Sequence, residues 1–200
     1  MGSASRLASW LALAYGGVGL LGALLAVAFG KRPLSCTPWL PTSGVEAVVV
    51  SLLLGGAFAA LVLIVTRRLL QRVRWARSLH SKLRPFIRDA DDAAIGLMAL
   101  ASGVAEEIFF RGFLSVVIGV WLSSLVFGAL HQVRGAGRWG WALSAVAVGL
   151  GMGLIYALTG QLVGCILAHV AINAVNLRYI RDNDPDPQPR RKLGGLLRQT

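Results

Sequence analysis

Six segments of the chain are dominated by apolar residues, and glycines, prolines or charged residues separate them. They cover approximately residues 10–29, 45–65, 93–117, 120–131, 139–158 and 161–179. A helix of about 20 apolar residues crosses a bilayer core of about 30 Å. The pattern therefore predicts an all-α, polytopic membrane protein with about six transmembrane helices. The first segment is longer than the apolar region of a secretory signal, so we expect a retained helix.

Residues 67–88 follow a different pattern, in which apolar positions recur at helical spacing and eight basic residues fill most other positions. This pattern predicts a basic amphipathic helix in the cytoplasmic interface, with a solvated charged linker as the alternative. Four regions result. Two transmembrane helices occupy 1–66, the basic helix and its linker 67–92, and a helical core 93–180, while the polar tail 181–200 is predicted to be disordered in the cytoplasm.

The composition agrees with a membrane protein. Apolar residues make up 56% of the chain and charged residues 14%, whereas a soluble domain carries about 25% charged residues. The basic residues behind the net charge of +11 lie between the apolar segments, which favours anionic lipid over nucleic acid as the partner. Their distribution follows the positive-inside rule if both termini are cytoplasmic, so we expect a multi-pass protein of the cell inner membrane. The pattern sets no oligomeric state.

Five ionisable residues lie inside apolar segments, namely Glu106, Glu107, Arg111, His131 and His169. Each charge near the bilayer centre costs about 2.5–3.5 kcal/mol, so these side chains must face one another or a hydrated cavity. Glu107 and Arg111 are four residues apart on one helix, in the favourable order for an ion pair. Glu106 lies about 100° around the helix from Glu107, which leaves it free for another role.

Residues of separate helices can form one site only if they lie at a similar depth. The predicted helix breaks nearest to these residues are Gly119 and Gly160. Counted from them at 1.5 Å per residue, Glu106, His131 and His169 lie roughly 20, 18 and 14 Å from the outer side. Phe127 lies one turn before His131 on the same face, and Asn173 lies one turn after His169. The sequence therefore predicts that these side chains converge.

A carboxylate, two imidazoles and an amide at one depth form a set suited to hydrolysis. The carboxylate can take a proton from water, and donors can stabilise the oxyanion of a tetrahedral intermediate. Three alternatives stay open: a polar cluster that only fastens helices together, a proton or ion pathway, and a cysteine nucleophile at Cys165.

Three motifs carry a resemblance to a known family. They are Glu106-Glu107-Ile-Phe-Phe-Arg111-Gly112, then Phe127-Gly-Ala-Leu-His131, then His169-Val-Ala-Ile-Asn173. In this order, each on an apolar segment, they resemble the motifs of the CPBP intramembrane proteases. That family, also called the ABI family, includes the type II CAAX prenyl protease. The resemblance covers about residues 93–176.

The resemblance implies an intramembrane endopeptidase that cuts a membrane-anchored protein or peptide near its membrane-associated C-terminus. By similarity, Glu106 activates the attacking water and His131 helps to hold that water. His169 and Asn173 form the oxyanion site. The supporting residues are Glu107, Arg111 and Phe127.

Two further expectations follow from the resemblance. The family's site is often described as a metalloprotease site, so Glu106, His131 and His169 are candidate Zn²⁺ ligands, although we favour glutamate-activated water without metal. The short chain favours a prokaryotic enzyme. A myxosortase-like role in processing C-terminal anchor helices, peptide maturation, and a non-catalytic scaffold or immunity protein of the same family all stay open.

Overall fold

The computed structural model describes residues 3–135 and 137–185, with side chains from residue 6 onward. In chain order, the helical elements are α1 (Ser3–Ala28), α2 (Gly44–Arg72), α3 (Arg74–Ile87), α4 (Asp92–Glu107), a π-helical segment (Ile108–Leu114), α5 (Ser115–Ile118), α6 (Val120–Leu130), α7 (Arg138–Thr159) and α8 (Val163–Asp182). Of the predicted disordered tail, the first two residues belong to α8, and residues 186–200 lie outside the described part.

Among the described residues, five helical stretches are long and apolar enough to cross a membrane: Arg6–Ala28, Gly44–Arg72, Asp92–Ile118, Arg138–Thr159 and Val163–Asp182. The third of them consists of α4, the π segment and α5. Helix α6 has 11 residues, so it spans only about 16 Å. The predicted all-α polytopic membrane fold is therefore confirmed for the described residues, with α6 as a short helix in place of a sixth full span.

Two predicted helix boundaries depend on glycines with positive φ. Gly119 (φ 87°) separates α5 from α6, and Gly160 (φ 66°) ends α7 in the left-handed conformation. Other side chains rarely adopt these angles. A β-carbon at Gly160 would also collide with the carbonyl oxygen of Cys36, so the α1–α2 loop packs directly over the turn between α7 and α8.

The basic stretch 67–88 is divided between two helices, where the sequence predicts one. Helix α2 continues to Arg72, and the backbone is extended at Val73 before α3 begins. Contacts with α8 explain the extension of α2. Arg67 donates to Oδ1 of Asn176 at 3.0 Å, and its guanidinium lies 3.7 Å from the centre of the Tyr179 ring.

Helix α3 is the basic amphipathic helix, shortened to 14 residues. Its buried residues, which include Ala76, Leu79 and Ile87, face the bundle beside α7 and α8. A β-carbon at Gly140 of α7 would collide with the ring of Trp75, so the two helices approach closely at that point. The interfacial placement of α3 remains a prediction from its pattern.

Small residues allow the membrane helices to approach one another. A β-carbon at Gly103 of α4 would lie 3.0 Å from the backbone nitrogen of Val170 on α8. Small residues also recur at intervals of four on α7, at Ala145, Gly149 and Gly153, and this stripe packs against α6: a β-carbon at Gly149 would lie 3.2 Å from the Ser124 side chain. Such contacts replace the hydrophobic driving force that lipid does not provide between helices.

Candidate active site

The end of α4 and the π segment carry three of the predicted site residues into the interior. Glu107 is 0% exposed, Arg111 1% and Glu106 7%. The widened turns of the π segment let Ser115 N–H reach back five residues to the carbonyl of Phe110. The same carbonyl also accepts from Ser123 Oγ of α6 at 3.1 Å. The π segment therefore joins α4 to α6 at the place where the charged residues are buried.

Glu107 is the centre of a buried hydrogen-bonded group. Its Oε1 accepts from Arg111 Nη1 at 2.8 Å, and Nδ1 of His169 lies 2.7 Å from the same oxygen. Arg111 also donates from Nη2 to the carbonyl of Gly149 at 3.1 Å. The ion pair expected from the Glu107–Arg111 spacing is present. Because the carboxylate accepts, Nδ1 of His169 carries a proton, and Nε2 is the nitrogen left for the site.

Glu106 is oriented differently from Glu107. Its Oε2 lies 3.6 Å from Nε2 of His131 and 3.9 Å from Nε2 of His169. This oxygen is buried and has no hydrogen-bond partner among the described residues. The structure therefore brings together the carboxylate and two imidazoles that the sequence places at similar depth.

His131 follows the last residue of α6, and local contacts set the orientation of its ring. Nδ1 lies 2.8 Å from the carbonyl of Phe127, so Nδ1 donates and Nε2 points to Glu106. The Phe127 ring lies 4.1 Å from the His131 ring and 4.8 Å from the Arg111 guanidinium, centre to centre. Phe127 thus packs between the histidine of α6 and the buried ion pair.

Asn173 lies one turn beyond His169 on α8. Its Nδ2 donates to Oγ of Ser102 at 2.9 Å, and Ser102 in turn donates to the carbonyl of Met98 at 2.8 Å. Since Ser102 precedes Glu106 by one turn of α4, this bond holds Asn173 near the carboxylate without a direct contact to it. The second amide hydrogen of Asn173 remains able to donate.

A cavity of about 360 Å³ opens at this site, and its lining residues are Tyr15, Val18, Glu106, Phe110, Leu130, His131, Gln132 and Trp141. Sequence reasoning missed Tyr15 and Trp141. The available signal for Tyr15 was weak, because it is one residue with a polar tip in an otherwise apolar segment. Its place in the site depends on how α1 packs, which the pattern does not show.

The three candidate zinc ligands, Glu106, His131 and His169, belong to this site. Within residues 3–135 and 137–185, no group of three or more His, Cys, Asp or Glu side chains is arranged to hold a metal ion. Glu106, His131 and His169 are residue types that zinc sites use. Their arrangement nevertheless gives no support to the candidate zinc site.

Comparisons with known proteins match the part of the chain that holds this site. Residues 93–175 match the family described as type II CAAX prenyl endopeptidase Rce1-like. The uncharacterized protein YpbD of Bacillus subtilis (strain 168) is 39% identical over 84 residues, which are 42% of this chain and 44% of that protein. The chain thus spans less than half the length of this curated relative. No solved structure matches the chain.

The matches give no support to the narrower resemblance to the myxosortase-like branch. They do coincide with the part of the chain that holds the buried charges, since all seven predicted site residues lie between residues 93 and 175. This segment is similar to the Rce1-like family of type II CAAX prenyl endopeptidases.

Proposed function

We propose that the protein is an intramembrane endopeptidase that hydrolyses a peptide bond near the membrane-associated C-terminus of a protein or peptide. The observation that supports this best is Oε2 of Glu106, which faces Nε2 of His131 and of His169 across 3.6 and 3.9 Å. These distances are too long for direct hydrogen bonds. A water held between the three atoms can bond to the carboxylate and to an imidazole at once.

Glu106 acts as the general base of the reaction. It takes a proton from water while the water oxygen attacks the carbonyl carbon of the peptide bond, and the proton then passes to the nitrogen of the leaving amine. Water is the nucleophile, so no acyl-enzyme forms. Nε2 of His131 helps to hold the water, because its Nδ1 is already bonded to the Phe127 carbonyl.

His169 and Asn173 stabilise the oxyanion. His169 donates from Nε2 only as the imidazolium cation, in which both ring nitrogens carry a proton. The Glu107 carboxylate, 2.7 Å from Nδ1, holds the ring in place. Asn173 donates with the amide hydrogen that Ser102 does not use. Donors fixed in advance of the reaction are the usual source of such stabilisation.

Neither cysteine is suited to act as the nucleophile. Cys165 is 0% exposed and donates to the carbonyl of Met152 at 3.2 Å. Cys36 lies in the α1–α2 loop, and partial burial raises the pKa of its thiol, which lowers the thiolate fraction at neutral pH. Both observations favour water over sulfur.

We infer that the site opens toward the basic side of the bundle, where α3 lies. His131 and Gln132 line the cavity at the end of α6, and the next loop contacts α3, where Lys82 Nζ donates to the carbonyl of Arg134 at 2.6 Å. The positive-inside rule assigns this side, and with it both termini, to the cytoplasm. The membrane is then the inner membrane of the cell. The substrate is then a membrane-anchored chain cut near the cytoplasmic face.

The proposal is tested with Glu106→Gln, which keeps the shape of the side chain and removes the base. We expect kcat to fall about 10²- to 10⁴-fold. The matched control is Glu46→Gln, an exposed glutamate in the first turn of α2. The substrate is found by comparing membrane proteomes of cells with wild-type or Glu106→Gln protein for C-terminal segments that remain uncut, and cleavage is then measured with purified protein in proteoliposomes.

Cleavage by Glu106→Gln at the wild-type rate would overturn the proposal. A non-catalytic scaffold predicts that folded His131→Ala and His169→Ala variants keep full function in cells. Metal content and chelator treatment of the active protein decide the cofactor question: full activity without stoichiometric metal excludes zinc, and loss that added Zn²⁺ restores supports it.

A further inference from the structure

Helix α1 borders the candidate active site although it lies outside residues 93–175. Tyr15 and Val18 of α1 line the same cavity as Glu106 and His131. The matched segment therefore does not contain the whole site. One wall comes from the N-terminal helix, which raises the question of what Tyr15 does there.

Backbone contacts fix the register of α1 against α4 and the π segment. A β-carbon at Gly19 would lie 3.2 Å from Cα of Ala105, and one at Gly22 would lie 2.7 Å from Cα of Phe109. Tyr15 is one turn before Gly19 and so shares its face of α1. Ala105 directly precedes Glu106, and the close approach of the two backbones therefore sets Tyr15 beside Glu106.

The two neighbouring glutamates differ in how they are held. Oε1 of Glu107 is bonded to Arg111 and His169, while its Oε2 has no hydrogen-bond partner among the described residues. Oε2 of Glu106 has no hydrogen-bond partner among the described residues, so the matched segment supplies no bond that fixes this oxygen. The hydroxyl of half-buried Tyr15 interacts with the Glu106 carboxylate.

We propose that Tyr15 is a positioning residue whose hydroxyl donates a hydrogen bond to Oε1 of Glu106 and so keeps Oε2 turned toward Nε2 of His131 and His169. This inference rests on the proposed role of Glu106 as general base. The bond joins a neutral donor to an ionised acceptor, which makes it stronger than a bond between neutral groups. It also gives a role to α1, which borders the cavity although it lies outside residues 93–175.

The first test needs no substrate. The chain contains three glutamates, Glu46, Glu106 and Glu107, so ¹³C-labelled glutamate gives few carboxylate bands in the infrared spectrum of the purified full-length protein. The band that disappears in Glu106→Gln is expected to shift in Tyr15→Phe. The control is Tyr179→Phe, because Tyr179 lies at the far end of α8 over Arg67. An unshifted Glu106 band in Tyr15→Phe would overturn the inference.

The second test measures cleavage of the substrate found by the proteome comparison. A positioning role predicts that Tyr15→Phe lowers kcat about tenfold with little change in KM, at unchanged thermal stability, and that Tyr15→His, which keeps a ring donor, recovers part of the loss. A purely structural role instead lowers the folded yield and leaves the kcat of folded protein intact, and that result contradicts the inference. Failure of the proposed function looks different, since Glu106→Gln itself would then remain active.

Discussion

Two clusters that each contain an acidic side chain and arginine show how burial changes the contribution of an ion pair to stability. The inner cluster is Glu107, Arg111 and His169, and the outer cluster is Asp92 with Arg178 and Arg181. Their shortest contacts between an arginine and a carboxylate are equal: Arg111 Nη1 to Glu107 Oε1 and Arg181 Nη1 to Asp92 Oδ1 are both 2.8 Å. The side chain of Glu107 is 0% exposed, whereas that of Asp92 is 66% exposed.

Equal distances do not mean equal energies in these two clusters, because their exposure differs. Water and ions screen the outer cluster, so its pairs contribute little to stability. In the inner cluster each charge depends on its partners, because removal of one partner leaves an uncompensated charge in a medium of low dielectric constant. The inner cluster also holds His169 of the candidate site, so under the proposed function we expect its loss to lower the cleavage rate as well as stability.

The largest loss of stability is expected from Arg111→Met in the inner cluster. The variant leaves the Glu107 carboxylate buried with only His169 as a partner, and we expect a loss of about 3–5 kcal/mol in the free energy of unfolding. Denaturant unfolding of the purified protein measures it, with Arg178→Met of the outer cluster as the control. The double variant Arg111→Met/Glu107→Leu removes both charges and is expected to recover most of the lost stability.

If Arg111→Met costs no more than Arg178→Met, the inner cluster is not energetically different from the outer one. Failure of the double variant to recover stability would instead show that His169 or the carbonyl of Gly149 depends on the pair.

A smaller loss of stability is expected from a change at the contact between α1 and the π segment. In Gly22→Ala the new methyl group would meet the backbone of Phe109 at 2.7 Å, so α1 must shift, at a cost of about 1–3 kcal/mol. Gly16→Ala is the matched control, because nothing lies within 4 Å of a β-carbon there. Thermal unfolding and cleavage rate are measured together, and Gly22→Ala with both unchanged would contradict the close contact.

The smallest effect is expected from Asp92→Asn in the outer cluster. Solvent can replace the exposed ion pairs of this residue with Arg178 and Arg181, so we expect no measurable change in the thermal midpoint or the cleavage rate. Both quantities are measured at low and high salt, because salt weakens an exposed ion pair. A clear loss of stability in both conditions would show that the outer cluster is more than a screened surface group.

Part of the fold and of the site could be predicted because the cause is local. The lengths of the apolar segments, the breaks at Gly119 and Gly160, and the pairing of Glu107 with Arg111 follow from helix geometry and from the cost of charge in lipid. The division of the basic stretch could not be predicted in this way. It depends on Asn176 and Tyr179 of α8, more than 100 residues from Arg67 in the chain.

By itself, the sequence determined that this is a helical membrane protein with a few ionisable residues in apolar segments, because helix length and charge cost are properties of single segments. The tertiary structure decided what those residues face. Packing of α1 on α4 sets Tyr15 at the cavity, and the carbonyl of Phe127 and the carboxylate of Glu107 turn Nε2 of each histidine toward Glu106. The place of Tyr15 and the orientation of His169 depend on contacts between helices, which no segment specifies alone. The His131 ring is oriented locally, and only packing brings Glu106 to face it.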